Sequence, residues 1–122
     1  MTENSGDVIF KYKIPFPPSV NGLYGGGSGQ QRFKTKRYKD WCKSVPYLPD
    51  IQIDFPVKIL YTFTWPDNRE RDGQNYIKAV TDMLVNAGVI KNDDWTIITS
   101  ETWDFDCVDK KNSGVTIQIF KE

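Results

Sequence analysis

The sequence of 122 residues contains no histidine and only two cysteines. Catalytic triads and dyads that use an imidazole, HNH-type nuclease chemistry and zinc sites with histidine ligands are therefore excluded. The two cysteines, Cys42 and Cys107, are too few for a four-cysteine zinc site or a disulfide framework. We predict that both are free thiols in a reducing compartment.

The chain also lacks a long hydrophobic run and an apolar leader. No window approaches the roughly 18 apolar residues of a membrane-spanning helix, and the N-terminal residues are polar and acidic. These features predict a cytosolic protein. A length of 122 residues is ordinary for one compact unit, so we expect a single domain over residues 1–122.

Net charge is absent as well, because 16 basic residues balance 16 acidic ones. The two signs are nevertheless segregated, since residues 1–45 hold eight basic and three acidic residues, whereas residues 46–122 hold eight and thirteen. Apolar residues at helical spacing, including Tyr38 and Trp41, predict a short helix from Thr35 to Ser44. The basic residues in and just before this helix are Lys34, Lys36, Arg37, Lys39 and Lys43. Such a segment suits the phosphates of nucleic acid, and an ordinary solvated helix face is the alternative.

Alternation of apolar and polar residues predicts four strands, and helical spacing predicts a second helix. The strands are 8–14, 57–65, 95–104 and 115–120. The second helix spans 75–87, and Gly88 follows it as a residue that can take the left-handed conformation. This order predicts an α+β fold in which a small mixed sheet carries the helices on one face. The glycine-rich stretch over residues 21–31 predicts a flexible loop, and it lacks the Lys-Ser/Thr pair of a phosphate-binding loop.

Polar residues concentrate in the two loops that flank the second helix, and Asp93 and Asp94 belong to the later one. Carboxylates that converge from both loops would bind a hard cation such as Mg²⁺. Lys78 shares one helix face with Gln74 and Asp82, at intervals of four residues. A cation, a lysine and carboxylates together suit phosphodiester hydrolysis. The structural alternative is a helix cap, a turn and an ordinary ion pair.

A longer, gapped pattern of residues extends over most of the chain and is densest between residues 66 and 94. Its members are Pro17, Pro18, Ser19, Val20, Asn21, Pro66, Asp67, Arg69, Arg71, Asp72, Asn75, Lys78, Asp82, Ala87, Gly88, Asp93 and Asp94. This pattern resembles the RusA family of Holliday-junction resolvases. The resemblance implies a RusA-like fold and a homodimer that binds four-way DNA junctions. It also implies paired, symmetric cuts that depend on Mg²⁺, with Mn²⁺ as an alternative cation.

The resemblance further implies roles for individual residues. Asp72 and Asp94 match the family's catalytic carboxylates, which are expected to bind the metal, and Lys78 matches its catalytic lysine. Arg71 matches the basic residue beside the first carboxylate. Together with Arg69, it joins the basic segment as an expected DNA-binding residue.

One position departs from the family motif, which reads Asp-x-Asp-Asn, because Gln74 stands where the second aspartate is expected. An amide oxygen can ligate a hard cation but carries no charge, so we expect a weaker metal site. Glu70, Asp82 and Asp93 are candidates for compensation. Two hypotheses follow. The chain is either a Mg²⁺-dependent, structure-specific endonuclease with Gln74 as a weakened third ligand, or a junction-binding protein that has lost cleavage.

Overall fold

The computed structural model describes residues 7–19, 24–25 and 33–122, with the side chains of 24–25 and 33–34 outside the description. The strands are β1 (Val8–Ile14), β2 (Tyr24–Gly25), β3 (Phe33–Lys34), β4 (Val57–Trp65), β5 (Ile98–Val108) and β6 (Gly114–Lys121). The helices are α1 (Lys36–Ser44) and α2 (Gln74–Asn86). The predicted flexible loop over residues 21–31 lies outside the described residues except for β2, which pairs with β3.

Four of the strands form a mixed sheet in the order β1-β6-β4-β5. Strand β6 is antiparallel to both of its neighbours, whereas β4 and β5 are parallel. A parallel pair needs a crossover connection, and α2 supplies it. The polar turn after β5 leads to β6, but the two strands are not neighbours because β4 lies between them. The predicted α+β class with a four-stranded mixed sheet is confirmed.

The core lies on the face of the sheet that α2 covers. Ile59, Tyr61 and Phe63 alternate along β4 and are buried there. Phe63 packs edge-on against Tyr76 of α2, with ring centroids 6.2 Å apart. The predicted apolar stripe of α2 is buried at Ile77, Val80 and Leu84. Among the described residues, no helix is both long and apolar enough to cross a bilayer.

The ends of both helices follow from their sequences. The Thr35 hydroxyl accepts a hydrogen bond from the Tyr38 N–H at 3.2 Å and so caps α1. The Trp41 indole donates to the Pro15 carbonyl at 3.0 Å, which ties α1 to the segment after β1. Helix α2 ends before Gly88, whose φ of 83° is the left-handed conformation that glycine adopts without strain. Both predicted helices are confirmed to within one residue at each end.

The prediction for β5 was wrong at both ends, because the strand runs from Ile98 to Val108 instead of over residues 95–104. Residues 95–97 form a turn in which the Asp94 carbonyl accepts hydrogen bonds from Ile97 and Ile98 N–H at 3.1 and 2.9 Å. At its other end the strand continues to Val108 because it pairs with β4 as far as Trp65. Sequence alternation could not show either effect, since the first end is set by a backbone turn at Asp94 and the other by a partner strand distant in the chain.

Candidate active site

The start of α2 is fixed by local hydrogen bonds and by one aromatic ring. The Asp72 carboxylate accepts a hydrogen bond from the Gln74 N–H at 3.1 Å, and the Asp72 carbonyl accepts one from Asn75 N–H at 2.9 Å. Gly73 lies against the indole of Trp103, so that a Cβ at position 73 would overlap the ring. The carboxylate of Asp72 is thus held at the helix N-terminus, where negative charge is favoured.

A pocket with a volume of about 340 Å³ opens beside α2. Its lining consists of Gln74, Ile77, Lys78, Thr81, Asp82, Asp93 and Glu101. Two predicted site residues, Gln74 and Lys78, therefore face the same space as a carboxylate from the loop after α2. Asp72 and Asp94 are within two residues of lining positions, but they are not part of the lining itself.

Lys78 and Asp82 form the ion pair that their spacing predicts. The Lys78 ammonium lies 3.5 Å from Asp82 Oδ2, and the side chains are 50% and 16% exposed. The carboxylate is therefore largely covered by protein, whereas the ammonium is half open to solvent. The Lys78 ammonium thus brings a positive charge to a pocket whose other charged residues are all acidic.

The loop that follows α2 is organised around Asp94. Its carboxylate accepts a hydrogen bond from the Thr96 N–H at 2.9 Å and a shorter one from the Thr96 hydroxyl. Because its carbonyl also closes the turn before β5, Asp94 has a structural role in this loop. The preceding residue, Asp93, reaches the pocket.

Sequence reasoning missed Glu101, which is the pocket residue contributed by β5. Glu101 Oε2 lies 2.7 Å from the Tyr61 hydroxyl and 2.7 Å from the Thr81 hydroxyl. Burial raises the pKa of Tyr61 well above its ordinary value, and the neighbouring charge of Glu101 adds to this effect, so Tyr61 stays a neutral donor. Only the register of β4 and β5 could have indicated this contact. Glu101 pairs with Ile59, which places it on the helix-covered face together with Tyr61.

The two predicted DNA-binding arginines before α2 have very different surroundings. The Arg71 side chain is 7% exposed, and its guanidinium lies 2.7 Å from an Asp67 oxygen and over the rings of Phe16 and Trp65. The Arg69 side chain is 76% exposed and lies 3.7 Å from the same carboxylate. Hydrogen bonds from Arg71 and then from the Arg69 backbone lower the pKa of Asp67 to about 2. Arg71 thus holds the loop together, and Arg69 projects from it.

The exposed face of α1 carries the predicted basic residues. Lys36, Arg37, Lys39 and Lys43 are all exposed there, and Tyr38 and Trp41 are buried on the opposite side. Asp40 lies on the exposed face as well and pairs with Lys36 at 2.7 Å. The backbone of Lys34 lies in β3, and its side chain is outside the described part of the chain.

Apart from the Lys78 ammonium, the groups around the pocket that could ligate a metal offer oxygens, from one amide, one hydroxyl and three carboxylates, and such donors suit a hard divalent cation. In the part of the chain that the structure describes, no group of three or more acidic or cysteine side chains is placed to hold a metal ion by itself. Mg²⁺ usually keeps several waters and takes one or two protein carboxylates together with substrate phosphates, so an open, oxygen-rich surface fits it.

Comparison with known proteins agrees with this geometry. The family model for the endodeoxyribonuclease RusA matches residues 15–120. A crossover junction endodeoxyribonuclease RusA from Aquifex aeolicus is 29% identical over 116 residues, which cover 91% of this chain and 88% of the relative. The enzyme of the same name from Escherichia coli K12 is 32% identical over 83 residues, which cover 65% of this chain and 69% of the relative.

A third relative, the crossover junction endodeoxyribonuclease of Enterobacteria phage HK97, is 28% identical over 90 residues, which cover 70% of this chain and 74% of the relative. RusA-type nucleases depend on a metal ion, which agrees with the oxygen-rich pocket. The matched residues include α2, the loop after it and β5, which together build the pocket. The chain belongs to the RusA family of endodeoxyribonucleases.

Proposed function

We propose that this protein is a structure-specific endodeoxyribonuclease that resolves Holliday junctions by hydrolysing phosphodiesters. The observation that carries the proposal is the pocket in which Lys78 and Gln74, both at positions of the family motif, meet carboxylates from α2, the following loop and β5. The half-exposed ammonium of Lys78 would offset negative charge that develops on the phosphate or the leaving oxygen. Asp82 would keep that ammonium in position.

The proposal includes Mg²⁺ as the cation, with Mn²⁺ as a substitute. Asp72 and Asp94 would hold it, and Gln74 would contribute a neutral ligand. A bound divalent cation activates water and neutralises phosphate charge. The neighbouring pocket supports a hard cation, because the groups in its lining that could ligate a metal are carboxylate, amide and hydroxyl oxygens.

Four-way junction DNA is the proposed substrate, and the exposed face of α1 would contact its phosphates. The four exposed basic side chains on α1 can displace counterions without reading bases, so their contribution would not depend on sequence. Arg69 is exposed beside the pocket loop and suits a phosphate contact near the cleaved strand. Because the substrate is DNA, we place the protein in the cytoplasm of a bacterial or phage-infected cell.

The proposed assembly is a homodimer. A four-way junction offers two symmetric strands, and each copy of the chain carries one pocket, so paired cuts need two copies related by a two-fold axis. Analytical ultracentrifugation should show a dimer bound to each junction. A single copy per junction, with paired cuts retained, would contradict this assembly.

A second candidate, a junction-binding protein without cleavage, is favoured by one observation. Gln74 lines the pocket at the position where the family motif has an aspartate, so the site holds one carboxylate fewer. The basic face of α1 does not depend on that position, and binding would survive the loss of cleavage.

The deciding experiment incubates the purified protein with a labelled mobile four-way junction in Mg²⁺ or Mn²⁺. The nuclease proposal expects paired nicks from the parent and none from Asp72→Asn, with equal junction binding by both. The Asn side chain retains an oxygen that can accept the Gln74 N–H, so α2 should begin as before. Binding without cutting by the parent at every metal concentration would instead support the second candidate.

A further inference from the structure

Three secondary-structure elements meet at one carboxylate oxygen beside the pocket. Tyr61 of β4, Thr81 of α2 and Glu101 of β5 place three oxygens at mutual distances of 2.7 Å. The Tyr61 and Thr81 side chains are buried, whereas Glu101 is exposed and lines the pocket. A carboxylate on a flexible side chain is in this way held at a defined place by hydroxyls from two other elements.

The hydrogen bonds leave one oxygen of this carboxylate for the pocket. Both hydroxyls approach Oε2, so that Oε1 is the atom through which Glu101 can act on a ligand. The same pocket contains Gln74, which brings an oxygen but no charge. Glu101 therefore adds a negative charge to the same space. In the family motif, an aspartate at position 74 would have carried that charge.

The other carboxylates suggested as compensation are less suited to the task. Asp82 lies 3.5 Å from the Lys78 ammonium, which offsets its charge. Glu70 does not belong to the lining of the pocket. Asp93 does line it, but no hydrogen bond described in this structure holds its carboxylate, whereas two hold that of Glu101.

We propose that Glu101, held by Tyr61 and Thr81, is a charge-supplying residue of the active site that takes over the electrostatic part of the aspartate missing at position 74. This inference rests on the proposed function, because it assumes that the pocket binds a divalent cation. The carboxylate charge has moved from the first turn of α2 to the neighbouring strand. Affinity for the cation then depends on Glu101 more than on Gln74.

The test measures Mn²⁺ binding to the DNA-free protein by electron paramagnetic resonance, which needs no cleavage. Four proteins are compared: the parent, Glu101→Gln, Gln74→Asp and the double variant. We expect Glu101→Gln to weaken Mn²⁺ binding by about tenfold. A loss of this size is typical when a residue beside the metal ligands is replaced. The double variant should return to within about twofold of the parent, because the charge is restored on the other side of the pocket.

Two further variants separate this role from a purely structural one. Asp104→Asn removes an exposed carboxylate elsewhere on β5 and should leave Mn²⁺ binding unchanged. Tyr61→Phe removes one hydroxyl that holds Glu101 and should weaken binding by a few-fold while the protein remains folded. Thermal unfolding of every variant identifies any that fail to fold. If Glu101→Gln does not fold, the Tyr61→Phe comparison decides the question.

The inference is overturned if Glu101→Gln binds Mn²⁺ as tightly as the parent, or if the double variant stays as weak as Glu101→Gln. It is also overturned if the parent binds no Mn²⁺. Failure of the nuclease proposal would look different. Mn²⁺ binding would follow the expected order across the four proteins, but none of them would cut the junction.

Discussion

The pocket beside α2 and the exposed face of α1 carry charge in opposite ways. On α1, Lys36, Arg37, Lys39 and Lys43 project into solvent, and Asp40 is paired with the first of them. In the pocket, two charged groups are held by described partners. Asp82 pairs with Lys78, and two buried hydroxyls hold Glu101. Exposed charges attract phosphates over a long range, whereas fixed charges act at one atom. The comparison predicts that binding and cutting can be separated by mutation.

The largest expected effect is on cutting. Asp72→Asn removes a proposed metal-binding charge and should lower the rate of junction cleavage by more than about 100-fold, with junction affinity within about twofold of the parent. Asp104→Asn is the matched control, because it removes one carboxylate from an exposed site on β5. Single-turnover cleavage and gel-shift titrations measure the two quantities. A variant that cuts at the parent rate would show that Asp72 is not part of the site.

The next effect is on binding. Lys36→Ala/Arg37→Ala should weaken junction affinity by on the order of tenfold near 0.1 M salt and reduce the slope of log affinity against log salt by about one per lost contact. Arg37 should account for the larger share, because Lys36 already pairs with Asp40. Cleavage at saturating protein should be retained. The control, Lys110→Ala/Lys111→Ala, removes two exposed charges from the turn before β6, and an equal change there would contradict a specific role for α1.

A smaller effect distinguishes the two arginines before α2. Arg71→Gln removes a partly buried ion pair and two ring contacts, and it should lower the free energy of unfolding by about 1–2 kcal/mol. Arg69→Gln should change it by less than about 0.5 kcal/mol and should weaken DNA binding instead. Urea unfolding measures the first quantity. Equal stability of the two variants would mean that the buried position of Arg71 is unimportant.

Asp67 in the same loop predicts that the free energy of unfolding depends on pH. The pKa of Asp67 is lowered to about 2 from the ordinary value of 3.8, so its ionised form stabilises the folded protein. This contribution should be fully present above about pH 4 and lost as the pH falls toward 2. Asp67→Asn should therefore be less stable than the parent at neutral pH. Its free energy of unfolding should also fall less steeply than that of the parent as the pH drops through this window. Urea unfolding at several pH values, with Asp104→Asn as the control, tests this expectation.

The smallest effect is expected at position 74 in the otherwise unchanged protein. Gln74→Asp should lower the Mg²⁺ concentration for half-maximal cleavage by only a few-fold, because Glu101 already supplies a charge nearby. Lys78→Ala in that background should depress cleavage without a comparable loss of binding. A large gain from Gln74→Asp alone would show that position 74 limits the site and that Glu101 does not compensate.

Much of the fold could be read from local patterns. The helix starting after Thr35, the stripe of α2 and the left-handed Gly88 all depend on residues within a few positions of each other, and all three are confirmed. The ends of β5 were missed because a turn at Asp94 and pairing with Trp65 set them. The spacing of apolar residues carries information about helices, whereas alternation shows neither a turn before a strand nor how far a partner strand extends it.

For the site, the sequence by itself determined the residue types and their order: no imidazole, two acidic loops around a helix, a lysine one turn after Gln74, and the family pattern. Tertiary structure decided which of these groups share a space. It brought Asp93 to the face of α2 and buried Arg71 between aromatic rings. It also carried Glu101 across the parallel β4–β5 pair to the hydroxyls of Tyr61 and Thr81. A carboxylate 27 residues after Gln74 can join its pocket only because α2 returns the chain to the neighbouring strand, and spacing along one element cannot encode that contact.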